Sequence, residues 1–200
     1  MAGVKKNAAR RRATLVFLDE SGFSERPAVR RTWAPRGQTP VLTHRFRSWN
    51  NLSVIGALAY RVGSPQRSRV FLRMHTGAVR SPQIIRFLQH LRRHIRGPIL
   101  LLWDGLHAHR SLATQAYLRT HSWLTVHRLP AYAPDLNPVE GAWQHLKHVE
   151  MRNLVCLDLE ELHLELYLAV GRLRQKPRLI RSFFVEAGLE AQNFTFLRNA

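Results

Sequence analysis

Acids are scarce in this chain, 13 against 31 basic residues, so their positions carry information. Asp19 follows the apolar residues 15–18 in "TLVFLDESGF", and Asp104 follows "GPILLLW". Short apolar runs cut off by polar residues read as buried strands that end in a carboxylate. If those two strands are neighbours and parallel, both carboxylates emerge at the same end of one sheet. Two unpaired carboxylates side by side repel unless a divalent cation lies between them. Glu140, in "PDLNPVEGAW", is the third residue of a helix that Asn137 caps and Pro138 opens. The same spacing fits a capping box, in which the Glu carboxylate bonds back to the N-cap N–H. Glu140 also lies one step off the apolar stripe of its helix, on the side of Gln144 and Lys147, and projects along the front edge of the sheet. Three converging carboxylates would hold hard ions such as Mg²⁺ with positions open for phosphate oxygens. A pair of such ions ~3.5–4 Å apart stabilises the attacking and leaving oxygens of an in-line phosphoryl displacement.

The rest of the composition fits that chemistry. A formal net charge of +18 calls for a polyanionic partner, and the excess of Arg over Lys suits bidentate contacts to phosphate. An acidic metal site inside a basic surface is what phosphodiester chemistry requires. With 45% hydrophobic residues the chain can bury a core, and 200 residues suit one domain. No apolar run approaches the ~20 residues of a membrane span. The start of the chain does not read as a signal peptide, because its apolar run is short and no small-residue cleavage site follows. The lone Cys156 excludes an internal disulfide and suits a reducing cytoplasm.

Several elements must position these residues. Residues 1–12 form a basic tail. Strands are expected at "TLVFLDESGF", "NLSVIGALAY" and "SRVFLRMHTG", an antiparallel meander because no helix intervenes, with a loop or hairpin at "RRTWAPRGQTPVLT". "SPQIIRFLQHLRRHI" has Ile84, Ile85, Leu88, Leu91 and Ile95 on one stripe, with Ser81 as N-cap and Pro82 as the first helical residue. A fourth strand at "GPILLLWDG", a helix at "HRSLATQAYLRTH" and a fifth strand at "WLTVHRLP" follow. A helix then runs from Pro138 to about Arg152, with Trp143 and Leu146 facing the core, and residues 158–200 read as helical. The order βββαβαβα makes an α/β fold with a mixed five-stranded sheet and helices on both faces.

"FLDESGF", "LLLWDGLHAHRS" and "LPAYAPDLNPVEGAWQHLK" resemble the three catalytic motifs of DDE transposases, in particular the bacterial insertion-sequence branch of the mariner-like superfamily. The 35 residues between Asp104 and Glu140 fit the short second interval of that group, and the resemblance covers residues 13–152. It implies a ribonuclease-H-like core over residues 13–152, with residues 153–200 as a helical extension of the same domain. It further implies Asp19, Asp104 and Glu140 as catalytic metal ligands for Mg²⁺, two ions, with Mn²⁺ able to substitute. The implied activity is DNA cleavage by water, then attack of the freed 3′-hydroxyl on target DNA without a covalent enzyme intermediate. Element ends and target DNA are the implied partners, with a homodimer as the assembly and the bacterial cytoplasm as the location. Relatives carry an N-terminal helix-turn-helix region that reads the terminal repeats. Only a basic tail of twelve residues is expected before the first strand here, so a separately encoded DNA-binding partner or a truncated remnant is expected. A catalytically silent DNA-binding remnant and a host nuclease of the same fold are the rival functions. Gly105 stands where many relatives have Asn.

Other residues have more modest readings. Glu20 is a candidate outer ligand or competitor for the metal, and His109 matches a motif histidine that orients substrate or a ligand. His107 and His109 without Cys or a third His make a weak zinc site. Asp135 fits the "APDLNP" turn, where Asp bonds its own downstream backbone. Trp33 and Trp49, near arginines, suit either base stacking or packing.

Overall fold

The computed structural model describes residues 7–8, 10–41, 50–61, 68–130 and 133–189. Five strands, β1 (Thr14–Ser24), β2 (Asn51–Arg61), β3 (Arg69–Thr76), β4 (Ile99–Trp103) and β5 (Leu124–Arg128), form one sheet in the order β3-β2-β1-β4-β5. β1, β2 and β3 are the expected antiparallel meander, whereas β4 and β5 run parallel to β1. Central strands are covered on both faces, which is why the first halves of β1 and β4 read as unbroken apolar runs.

Among the described residues after β3, the helices are α1 (Ser81–His94), α2 (His107–Arg110), α3 (Leu112–Arg119), α4 (Pro138–His145), α5 (Leu159–Arg174) and α6 (Pro177–Glu186). Side chains alternate along β1. Leu15 and Phe17 pack with Trp143 and Leu146, with Leu166 and Val170 of α5, and with Phe183 and Phe184 of α6. Val16 and Leu18 face the other way, against Ile84, Phe87, Leu88 and Leu91 of α1. The mixed sheet with helices on both faces is therefore as expected.

Four boundaries differ from the sequence expectation. β1 does not stop at Asp19: its backbone stays paired with β2 as far as Ser24 opposite Asn51, so ladder bonding carries polar residues the strand would otherwise shed. The cap of α1 is Arg80 rather than Ser81. The Arg80 N–H donates to Gln83 Oε1 at 3.2 Å, and Ser81 Oγ lies 2.6 Å from Ser111 Oγ instead. The helix expected after Asp104 is broken at Ser111, whose hydroxyl caps α3 by accepting from the Thr114 N–H at 3.2 Å. Residues 158–189 form two helices that break at Gln175 and Lys176, and residues 190–200 lie outside the described part. The segment "RRTWAPRGQTPVLT" is a loop as far as residue 41. Within the basic stretch before β1, Ala8 is fully buried in the core.

α4 does not end at His145 but widens. Leu146–Glu150 is one π-helical turn, in which the Met151 N–H reaches the Leu146 carbonyl at 2.9 Å. Its last residue, Glu150, joins α4 to the C-terminal helices: it accepts from Arg172 Nε and Lys176 Nζ, each at 2.6 Å, and lies 3.1 Å from His145 Nε2. Burial pushes the Glu150 carboxyl up, but the bonds from Arg172, Lys176 and His145 outweigh it and hold the pKa at about 2. A depressed carboxylate stabilises the fold above its unfolded value of 4.5 and loses that contribution as pH falls through about 2. Arg172 and Lys176 are half exposed, so screening reduces the effect. Glu150→Gln is expected to cost about 1–3 kcal/mol at pH 7 and to flatten the acid limb of urea-melt stability between pH 5 and 2.

Candidate active site

The register of β1 on β4 pairs Thr14 with Ile99 and Phe17 with Leu102. Asp19 and Asp104 each lie two residues beyond that last pair, so both stand past the same end of the β1–β4 ladder, as the apolar runs predict. β4 ends at Trp103, however, and the Asp104 carboxylate turns toward the residues that follow it. Asp104 Oδ1 accepts from the Leu106 N–H at 3.0 Å and lies 2.9 Å from His109 Nδ1.

Asp19 is nearly buried, on the α4 face of the sheet, and its Oδ2 accepts from Trp143 Nε1 at 3.1 Å. Burial first, and then the charge of Glu140, push its carboxyl up to about 7, although bonds from the Glu20 backbone and the Trp143 indole oppose the rise. A carboxyl held that high by burial and a like-charged neighbour is the electrostatic signature of a place for a cation.

Glu140 reaches this position through local geometry. Asn137 Oδ1 caps α4 by accepting from the Val139 N–H at 3.2 Å, and Pro138 opens the helix. The expected capping box does not form: the Asn137 N–H is already taken by the Pro134 carbonyl at 2.8 Å, in the 3₁₀ turn Pro134–Leu136. The Glu140 carboxylate is thereby released from capping and interacts electrostatically with Asp19 and Lys147. Asp135 is exposed in that turn, as the sequence suggests. A groove of about 640 Å³ opens beside Glu140, lined in part by Asn137, Gln144, His145 and His148.

The opposite face of β1 carries a different group. Glu20 points away from Asp19, and its Oε1 lies 2.9 Å from His109 Nε2. His109 is buried, stacked on Trp103 at 4.0 Å and 7°, with one ring nitrogen on each carboxylate. Burial lowers its pKa, but the bonds to Asp104 and Glu20 prevail and raise it to about 9. For Asp104, burial is outweighed by the bonds from His109 and the Leu106 N–H, which hold its carboxyl below the ordinary range. Glu20 Oε2 is buried and has no hydrogen-bond partner. Among the described residues, Glu20, Asp104 and His109 are the three that offer ligand atoms within 4.8 Å of one another. Asp19, Asp104 and Glu140 do not form such a group: Asp19 is coupled to Glu140, and Asp104 to His109. His107 is exposed and belongs to no ligand cluster among the described residues, so His107 and His109 do not converge on one site.

Three residues matter here that the sequence reading valued only for packing or not at all. Trp143, expected in the core, is buried there but also donates to Asp19; a buried indole N–H needs an acceptor, which was the available signal. Lys147 Nζ donates to Ser21 Oγ at 2.7 Å and lies 5.2 Å from the Phe23 ring. Burial lowers its pKa, and the charges of Glu140 and Asp19 oppose that shift. Gly56, opposite Asp19 on β2, leaves room for the indole: an added Cβ would lie 2.7 Å from Trp143 Cζ2. Trp33 is 99% exposed and packs on nothing, while Trp49 lies outside the described residues.

Comparison with known proteins bears on the fold and the family. The chain resembles the Mos1 strand transfer complex (15% identity, TM-score 0.61), with 96% of this chain and 56% of that one covered. It also resembles the Mos1 mariner paired end complex with Mn (18% identity, TM-score 0.61), covering 94% and 58%, and the one with Mg (16% identity, TM-score 0.60), covering 96% and 60%. The chain thus spans at most about three-fifths of the length of these Mos1 chains. At such identities the likeness shows the fold, which is ribonuclease-H-like. No curated protein matches the sequence. The DDE superfamily endonuclease family matches residues 14–163, a span that holds Asp19, Asp104 and Glu140, and the chain belongs to that family.

Proposed function

We propose that this chain is the catalytic domain of a transposase, which cleaves DNA strands and joins the freed ends to target DNA with a divalent cation. The observation that carries the reading is the parallel β1–β4 pairing, with Asp19 and Asp104 both beyond the same end of its ladder and Glu140 coupled to Asp19 from α4. The family match and the likeness to Mos1 complexes captured with Mn, with Mg and in strand transfer support it.

The donor set fits hard cations: it is carboxylate oxygen, and burial with the charge of Glu140 pushes the Asp19 carboxyl up to about 7, as in a site that lacks its counter-charge. Asp19, Asp104 and Glu140 would hold Mg²⁺ or Mn²⁺, which when bound supplies Lewis-acid stabilisation of charge on the phosphoryl oxygens. The protein's own contribution is positioning. Trp143 fixes Asp19, the Asn137 cap fixes the angle of Glu140, and His109 ties Asp104 to Glu20. Hydrolysis breaks a P–O3′ bond and leaves a 3′-hydroxyl. That hydroxyl then attacks a phosphorus in target DNA and displaces a second 3′-oxygen, which takes up a proton. The groove beside Glu140 suits the strand, and the excess of Arg suits its phosphates. A homodimer, a separately encoded helix-turn-helix partner and a cytoplasmic, nucleoid-associated location belong to the same proposal. Among the described residues no helix is long and apolar enough to cross a membrane.

One observation favours the catalytically silent remnant: His109 Nδ1 already engages Asp104 Oδ1 at 2.9 Å. Nicking of supercoiled plasmid with Mg²⁺ or Mn²⁺ decides between them. The transposase reading expects nicking that Asp104→Ala lowers by about 10³-fold. DNA binding without nicking by the wild type supports the remnant. Nicking without joining of a pre-cut end to target DNA indicates a plain nuclease, and equal nicking by wild type and variant overturns the site.

A further inference from the structure

Residues 26–103 contain no aspartate or glutamate. In the folded chain, part of that unbalanced stretch gathers at the outer edge of β3, away from the carboxylates. Arg69, Val70 and Phe71 wall a cavity of about 480 Å³ together with His90 and His94 of α1 and Arg174 at the end of α5. α1 reaches the cavity from one face of the sheet and α5 from the other, so the cavity wraps around the sheet edge.

Both guanidinium groups are held in place by backbone carbonyls. Arg69 Nη1 donates to the His94 carbonyl at 2.6 Å, and Arg174 Nε donates to the Val70 carbonyl at 3.3 Å. Each bond uses one of five donors, so each fork is oriented with donors to spare. The imidazoles of His90 and His94 lie 4.6 Å apart on successive turns of α1. Burial, and then His94, Arg73, Arg93 and Arg174, hold the His90 pKa below the usual imidazole range, with no acid contributing. α1 and β3 carry no acid, and the acids of α5 end at Glu165, about 13 Å along the helix from Arg174. Two fixed arginine forks and two imidazoles around one cavity match a tetrahedral oxyanion.

The cavity is separate from the carboxylate site. Asp19 is opposite Gly56, which is opposite Leu72, and Arg69 lies three residues before Leu72 on the second strand out. Strand spacings put it about 14 Å from Asp19. We propose that this cavity seats a backbone phosphate of duplex DNA, held between Arg69 and Arg174, outside the segment that meets the carboxylates. The proposal rests on the DNA reading above and adds a second contact to it.

The test uses the full chain in EDTA, a fluorescent 30-base-pair duplex, and anisotropy over a range of salt. The double variant Arg69→Gln/Arg174→Gln is expected to bind about tenfold more weakly near 0.1 M salt. Its plot of log K against log salt is expected to be shallower by about 2, the loss of two charge contacts. Its thermal melt reports whether it is folded, and a folded variant with an unchanged slope overturns the proposal. A second measurement needs no variant: duplex binding by the wild type should shift the imidazole resonances of His90 and His94, and unmoved resonances overturn it. Inorganic pyrophosphate separates the sources. If pyrophosphate moves those resonances while no duplex binds, the DNA reading has failed and the cavity is a small-anion site, contrary to the proposal. If duplex binds and only pyrophosphate moves them, the second contact alone is overturned.

Discussion

Glu140→Gln is expected to lower Mg²⁺-dependent nicking of supercoiled plasmid by about 10³-fold while changing unfolding free energy by less than about 1 kcal/mol. The amide is isosteric, so the packing of α4 is undisturbed. No capping bond is lost either, since the Asn137 N–H bonds to the Pro134 carbonyl. What changes is charge. With the like-charged neighbour gone, the Asp19 carboxyl should fall below its value of about 7, which NMR titration of the side-chain carboxyl reads directly. A protein that unfolds on this substitution would make Glu140 structural, and unaltered nicking would remove it from the ligand set.

Gly56→Ala should have the largest effect of any single methyl group near the site. The new Cβ would fall within 2.7 Å of Trp143 Cζ2, and closer still to Cη2, inside a core with no slack. Relief requires the indole to move, and the indole is the donor that holds Asp19 Oδ2. The expected cost is about 1–3 kcal/mol in urea denaturation, the usual penalty of overpacking. A further loss of about 10–100-fold in metal-dependent nicking should remain when the variant is assayed well below its melting temperature. Trp143→Phe separates the two parts: it removes the N–H but fills less space. If Gly56→Ala lost stability yet nicked normally, Trp143 would be a packing residue alone.

The parts of this site that could be read from the chain are those that depend on local pattern. Apolar runs before Asp19 and Asp104 mark buried strands, and the Asn-Pro pair before Glu140 marks a helix start; both hold in the fold. Three details depend on partners outside each local pattern and were not legible. β1 runs on past Asp19 because β2, more than thirty residues later, keeps bonding to it. The capping box fails because a carbonyl three residues upstream competes for the same N–H. Glu20 and Asp19, adjacent in sequence, serve opposite faces of the sheet, so the carboxylates sort into two groups that spacing alone merges. Trp143 was legible as apolar volume, but its N–H acquires meaning only when Asp19 comes within reach.

The π turn at Leu146–Glu150 divides one continuous rod into two angular phases. Residues before it are keyed to the sheet, through Trp143 on Asp19; Glu150 at its end is keyed to the C-terminal helices, through Arg172 and Lys176. A regular α-turn there, one residue shorter, would rotate Glu150 by about 100° about the axis. Either the sheet or the C-terminal helices could then be satisfied, not both. The extra residue acts as a vernier between two docking surfaces, and chain length in this turn is under tighter constraint than the identity of its exposed side chains.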